Sequence, residues 1–252
     1  MKNILLTIQY DGSSFEGSQK QEGKRTVFGL LEEAVSALEG RETRLIASGR
    51  TDRLVHAFDQ KANFLSSSNI PPSCYFHQLK PLLPPDIHVL SSKEMPRNFH
   101  ARFAAIKKSY SYILSRGEVL HPIYRKYKGN CSYPLDFEKM EAMMETFCGL
   151  HSFSAFSIGE NRDKDRVLDT FTMEVKDGDL IFHLSAPGFL TRQVRILVGA
   201  VLDVGRGHRS IDFFKEKLIQ GSDEPVAAAQ PASGLYLRKV VLDEHFGRGS
   251  LS

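Results

Sequence analysis

The chain is poor in cysteine, with three in 252 residues. Cys74, Cys131 and Cys148 are odd in number, widely spaced and form no Cys-x-x-Cys pair. That excludes a disulfide framework and reads as reduced thiols in a cytoplasmic protein. No run of about 18 apolar residues occurs, so no membrane-spanning helix is expected. The opening Met1-Lys-Asn-Ile-Leu-Leu-Thr-Ile8 turns polar at Gln9-Tyr-Asp-Gly12, too early for a signal peptide. A large charge excess is also missing: 33 Lys+Arg oppose 30 Asp+Glu, a net +3. Bulk charge alone therefore binds no nucleic acid, and any RNA surface must gather its cations on one face. The sequence holds no HExxH, CxxC or P-loop pattern, so neither metal nor cofactor is signalled. What is present is an ordinary globular composition, 41% hydrophobic, which excludes a disordered chain.

The periodicity alternates strands with helices. Ile4 to Tyr10 is β-rich and ends in the turn signal Asp11-Gly12. Apolar residues at 27, 30, 31, 34, 35 and 38 predict a helix, with Thr26 as N-cap and Gly40 as stop. Short strands are expected at Arg44–Ala47 and Ala62–Leu65, a helix at Cys74–Leu83 and an extended segment at Ile87–Met95. A second series begins near residue 106. It comprises a strand at Ser109–Leu114, a helix at Phe137–Phe147 and a hairpin of Phe171–Lys176 with Leu180–Ser185 across Asp177-Gly178-Asp179. Helices at Leu190–Val204 and Ile211–Ile219 and a strand at Leu235–Leu242 complete it. The similar order suggests two α+β halves, residues 1–105 and 106–252, sharing a central, mostly antiparallel sheet flanked by helices. The most polar stretch, 157–167, is expected to be a mobile loop. Phe15, Phe28, Phe64 and Phe103 are expected in the core.

The densest polar constellation is Ser48-Gly-Arg-Thr-Asp-Arg-Leu-Val-His56. In an extended segment Arg50 and Asp52 project to the same side. A carboxylate between Arg50 and Arg53 would be held ionised, fit to act as nucleophile or general base. The same residues equally make an ordinary Arg–Asp turn network.

Six motifs in order extend that constellation. Gly49-Arg-Thr-Asp-Arg-Leu-Val-His-Ala57 resembles the GRTDxGVHA motif of the bacterial tRNA pseudouridine synthase A family. Tyr10-Asp-Gly-Ser-Ser-Phe-Glu-Gly-Ser-Gln-Lys-Gln21 is similar to its YDGxxFxGWQxQ opening, and Asp86 to Ala105 to its extended strand and FHARxxA motif. Lys108-Ser-Tyr-Ser-Tyr112 resembles KxYxY, Phe189 to Gly199 resembles FLxxQVRxxVG, and Gln230 to Leu237 resembles APAxGLxL. Together they cover nearly the whole chain.

The resemblance implies the pseudouridine synthase fold and a cofactor-free isomerisation of uridine in tRNA. The targets would be positions 38, 39 and 40 of the anticodon stem-loop, and the enzyme a cytoplasmic homodimer. Asp52 aligns with the catalytic aspartate. Tyr110 aligns with the tyrosine that stacks on the target base, Arg195 with the arginine that pairs with the aspartate, and Arg50 with the motif arginine that helps hold the base outside the stack. Lys107, Lys108 and Arg192 could meet phosphates, as could Arg206 and Arg209; a solvated charge is the alternative at each. Gln19 suits an RNA contact as well as a polar loop tip. His56 and His100 suit structure or RNA contact.

Three departures stand out: Ser18 replaces a usual Trp in a chain with no tryptophan, Leu54 a usual Gly, and Asp59 a usual Gly. A branched residue at a positive-φ position costs about 1–2 kcal/mol, so a different loop shape around Asp52 is expected. These departures keep two alternatives open: a non-catalytic tRNA-binding or tRNA-folding protein, and a synthase for another RNA position.

Overall fold

The computed structural model describes residues 1–159, 164–243 and 245–246. The chain forms two compact units, Met1–Ile106 with the chain from Leu237 onward, and Lys107–Tyr236. Both join antiparallel strands to helices, the α+β class the periodicity predicts.

The first unit opens with β1 (Lys2–Tyr10) and α1 (Val27–Glu39). Thr26 caps α1, its side chain accepting from the Gly29 N–H, and Gly40 ends it at a φ of 66°. Both ends were legible because capping is local chemistry. Then come β2 (Ile46–Ala47), β3 (His56–Ser66), α2 (Tyr75–Leu79), β4 (Ile87–Met95) and α3 (Ala101–Ala104). Strand β1 is central, antiparallel to β4 on one side and β3 on the other. Strand β3 is much longer than the expected Ala62–Leu65, because its first half is too polar to read as a strand. The expected helix at Cys74–Leu83 is broken: α2 is one short stretch between 3-10 turns that contain Pro72 and Pro81.

Alternation along β1 divides its side chains between two faces. Ile4, Leu6 and Ile8 are fully buried on one face. Leu5 lies on the other, in a cluster with Met95, Phe99, Ala101 and Ala104, against which Leu242 and Phe246 pack. Asn3 shares Leu5's face. Its side-chain amide donates to the carbonyls of Pro96, Arg97 and Phe99, and its oxygen accepts from the Asn63 amide. Asn63 in turn accepts from the Ala101 N–H at 2.8 Å. Two buried asparagines thus anchor the Phe99-His100-Ala101 segment. Phe15, Phe28 and Phe64 are buried, but Phe103 is 66% exposed, contrary to expectation. Ala101 and Ala104 take the inward side of the single turn of α3, which leaves Phe103 outside, stacked on His100 at 4.3 Å.

The second unit takes up β5 (Ala105–Ser115), then β6 (Gly129–Asn130), α4 (Phe137–Phe147), β7 (Gly149–Ser152) and β8 (Asp165–Leu168). The hairpin β9 (Thr170–Lys176) and β10 (Asp179–Ala186) follows, then α5 (Gln193–Gly205) and α6 (Ile211–Gln220). Finally β11 (Leu235–Leu242) leads back into the first unit, where it neighbours β3. Strand β10 lies between β5 and β9, antiparallel to both. Its turn has φ 52° at Asp177 and 81° at Gly178, the left-handed pair a two-residue hairpin turn requires. The core is aromatic: Phe147 packs its ring against Phe153, Phe156 and Phe171, and Phe156 packs against Phe214.

The expected mobile loop 157–167 is only partly a loop. Asp165, Arg166 and Val167 belong to β8, antiparallel to β7; residues 160–163 lie outside the described residues. A short polar strand on a two-stranded sheet looks like a loop by composition. Helix α5 starts three residues later than expected, because Arg192 takes φ 59° and the Gln193 side chain accepts from the Leu190 N–H at 2.7 Å. Among the described residues, no helix is long and apolar enough to cross a membrane.

Candidate active site

The segment between β2 and β3 is a loop whose backbone groups are taken up one after another. The Ser48 N–H donates to the Lys61 carbonyl at 2.8 Å, and its hydroxyl donates to Gln60 Oε1 at 2.6 Å. Gln60 is fully buried in β3, and its amide donates to the Gly49 carbonyl at 3.1 Å. Thr51 is held at three points. Its N–H donates to Ser18 Oγ at 2.8 Å, its carbonyl accepts from the Ser18 N–H at 3.1 Å, and its hydroxyl meets the Tyr10 hydroxyl at 2.8 Å. The Leu54 N–H reaches the Phe15 carbonyl, and the Val55 N–H closes a turn on the Asp52 carbonyl at 3.2 Å. A buried backbone group left without such a partner costs about 1–3 kcal/mol, so this chain of bonds gives the loop one conformation.

The loop's side chains differ in exposure. Thr51 points inward and is buried, whereas Arg50 is exposed and Asp52 is half-buried. Arg53, expected to flank the carboxylate, pairs with Glu16 at 3.3 Å. Burial pushes the Tyr10 hydroxyl up to about 12, a tendency its bonds to Thr51 and Gln60 only partly oppose, so it stays neutral. His56 is buried, its Nδ1 accepting from the Gly12 N–H at 3.1 Å and lying 3.2 Å from Asp11 Oδ1. A Cβ at Gly12 would overlap the Val55 carbonyl, so only glycine lets the Tyr10-Asp-Gly turn lie against this loop. Gln19 is exposed at the neighbouring loop tip.

Two of the departures are structural here. Leu54 adopts φ 67°, the region the usual glycine would favour. The substitution places strain two residues from Asp52, on the order of 1–2 kcal/mol, and leaves this backbone angle in the left-handed region. Asp59 is half-buried and accepts from Lys61 Nζ at 2.6 Å and from the Val240 N–H at 3.0 Å. Its charge therefore ties β11 to β3.

In the second unit, Tyr110 is 9% exposed on β5, opposite Leu184 of β10, with its ring edge-on to Phe189 at 5.2 Å. Lys107 and Lys108 precede it on the same strand, and Lys107 pairs with Asp169 at 3.4 Å. Arg195 is half-buried in the first turn of α5. Its Nε donates to the Gln230 carbonyl at 2.6 Å, and the Gln230 N–H returns a bond to the Arg195 carbonyl at 3.1 Å. Burial pushes the Tyr112 hydroxyl well up, the positive Arg195 opposing it, and that hydroxyl donates to the Pro231 carbonyl. A Cβ at Gly199 would overlap the Ala228 carbonyl, so the glycine one turn on from Arg195 is what lets α5 approach the 228–231 segment. Arg192 is exposed at the helix start. Arg206 lies over the Tyr133 ring at 3.9 Å and Arg209 over Phe213 at 4.8 Å. Asp52, Arg50 and Gln19 are thus carried by the first unit; Tyr110, Lys107, Lys108, Arg192 and Arg195 are carried by the second.

The model of the tRNA pseudouridine synthase family matches residues 6–104 and 143–243. The chain belongs to this family. The matched stretches contain Gln19, Arg50, Asp52, Arg192 and Arg195, while Lys107, Lys108 and Tyr110 lie between them. Curated relatives named tRNA pseudouridine synthase A are similar along their whole length. That of Anoxybacillus flavithermus is 39% identical, covering 96% of this chain and 100% of its own. That of Caldicellulosiruptor bescii is 38% identical with the same coverage, and that of Finegoldia magna 36% identical over 95% of this chain and 99% of its own. Family membership makes the chain an isomerase of tRNA uridines. Gln60, Tyr10 and Ser18, which support the loop, were not singled out by sequence reasoning for that role. The signal available was a glutamine at a position of β3 whose alternation calls for an apolar residue.

Proposed function

We propose that this chain converts uridine to pseudouridine at positions 38, 39 and 40 of the tRNA anticodon stem-loop, acting as a cytoplasmic homodimer with Asp52 as nucleophile or base. The observation that carries the reading is the split within one loop. Thr51 is buried and held through its N–H, its carbonyl and its hydroxyl, while the adjoining Asp52 is half-buried. In the reaction the C1′–N1 bond breaks, the uracil turns, and C1′ joins C5. The C5 proton leaves and N1 gains one, so no electrons are exchanged overall. Asp52 either attacks C1′ or takes the C2′ proton, which later returns. Tyr110 offers a flat face to a uracil drawn out of its stack, a contact worth about 1–3 kcal/mol. Arg195 is the partner assigned to the carboxylate, and Arg50 holds the displaced base. Gln19, Lys107, Lys108 and Arg192 contact the RNA. Because one site serves three neighbouring uridines, recognition rests on tRNA shape and backbone. Affinity then falls steeply with added salt, and a flat salt response would remove that part of the reading.

The test is pseudouridine mapping on unmodified tRNA transcripts with the parent protein and Asp52→Ala. The expected result is product at 38–40 in the parent and a loss of roughly 10⁴-fold or more in the variant. Product elsewhere would overturn the positions and keep the chemistry. Retained product in the variant would remove Asp52 from its role. Binding without product in the parent would favour a tRNA-binding protein.

A further inference from the structure

We propose that Ser18 is a positioning residue for Asp52, and that it stands where it does to fix the peptide unit leading into the carboxylate. This rests on the assignment of Asp52 above. Ser18 has no exposed surface, yet it carries a hydroxyl, which in an apolar setting must find a partner. It finds Thr51 twice: Oγ accepts from the Thr51 N–H at 2.8 Å and lies 3.4 Å from the Thr51 carbonyl oxygen as a donor. The Ser18 N–H reaches that same carbonyl at 3.1 Å. Ser18 is anchored in turn, because its own carbonyl accepts from the Phe28 N–H at 2.9 Å, in the first turn of α1. The path from a capped helix to the residue before Asp52 is therefore one serine long. The Tyr10 hydroxyl fixes the Thr51 side chain from β1, at 2.8 Å. The peptide is thus set from a helix and a strand, while the strained Leu54 lies on the far side of Asp52.

A side chain without a hydroxyl at position 18 leaves the Thr51 N–H without its acceptor. The consequence is a dependence of the chemical step on one hydroxyl. A shift of about 1 Å in a reacting group lowers rates by as much as 10²-fold, whereas tRNA binding, spread over many contacts, does not register it.

The experiment compares the parent, Ser18→Ala, Tyr10→Phe and Asp52→Ala by single-turnover rate on saturating tRNA, tRNA Kd and thermal midpoint. Ser18→Ala is expected to slow the single-turnover step about 10- to 100-fold with Kd within twofold, and Tyr10→Phe to do the same more weakly. A rate within twofold of the parent in Ser18→Ala, whatever its midpoint, overturns the proposal, as does a parallel loss of rate and affinity. Should Ser18→Ala not fold, Tyr10→Phe decides alone: an unchanged rate in the folded variant overturns the proposal. Residual activity in Asp52→Ala would instead show that the assignment of Asp52 has failed, and the two failures are thereby told apart.

Discussion

The loop that carries Asp52 and the elements that carry Tyr110 and Arg195 reach a defined geometry by different means. The first has almost no regular structure of its own. Its order comes from buried polar side chains of neighbouring elements: Gln60 on β3, Tyr10 on β1, and Ser18 in the segment between β1 and α1. In the second unit Tyr110 sits within a paired strand and Arg195 within a helix, and the unit's core is built of phenylalanines. Hydrogen bonds give direction and are individually small. Aromatic packing contributes more and is less directional. The first arrangement fixes one stretch of backbone; the second relies on regular elements over an aromatic core.

The sharpest way to break this contrast is Phe147→Ala. Phe147 is fully buried and touches three other rings, so its loss should cost about 3–5 kcal/mol, read as a shifted urea midpoint. A cost under 1 kcal/mol would show that the second unit does not depend on its aromatic core. Next is Gln60→Leu, which leaves the Ser48 hydroxyl and the Gly49 carbonyl without their partner. The expected cost is about 1–3 kcal/mol, accompanied by a slower single-turnover step. Loss of stability with an unchanged rate would mean that the loop's bonds do not set the site.

Leu54→Gly should act in the opposite direction. It relieves a non-glycine residue at φ 67° and is expected to raise stability by about 1 kcal/mol, less the entropy glycine adds to the unfolded chain. That corresponds to about 2–4 °C in the thermal midpoint of a chain this size. A lower midpoint would show that the Leu54 side chain contributes more than its strain removes.

The smallest expected effect is acid sensitivity at Glu39. Burial raises its pKa, but bonds from the Tyr75 hydroxyl at 2.6 Å, the Ser66 hydroxyl at 2.7 Å and the Ser67 N–H at 2.9 Å outweigh it and hold the carboxyl below its ordinary value. A carboxyl depressed in the folded state stabilises fully above its unfolded value, and that contribution is lost as pH falls through the lower folded value. Urea midpoints should therefore drop below about pH 4.5 by more in the parent than in Glu39→Gln. Parallel curves would remove Glu39 from the acid response.

Much of the fold was legible because its cues are local. The Thr26 and Gly40 ends of α1 and the Asp177-Gly178 turn fall where capping and turn chemistry put them, and α4 and β4 match their periodic segments end to end. The candidate residues were found by motif, and their neighbours were not. Asp52 is prominent in the sequence, while Ser18 was visible only as a departure from a family pattern.

Taken by itself, the sequence determined the element types, the order of the motifs and hence the family, because periodicity, caps and spacing are properties of contiguous residues. Tertiary structure alone decided three things. Strand β3 begins at His56, since pairing with β1 outweighs the polarity of its first half. The chain's last strand joins the first unit, tied there by Asp59, 181 residues earlier than Val240. Ser18 meets Thr51 across 33 residues. No local pattern encodes such separations; they form only where burial leaves a polar group without water and the nearest partner is remote in the chain.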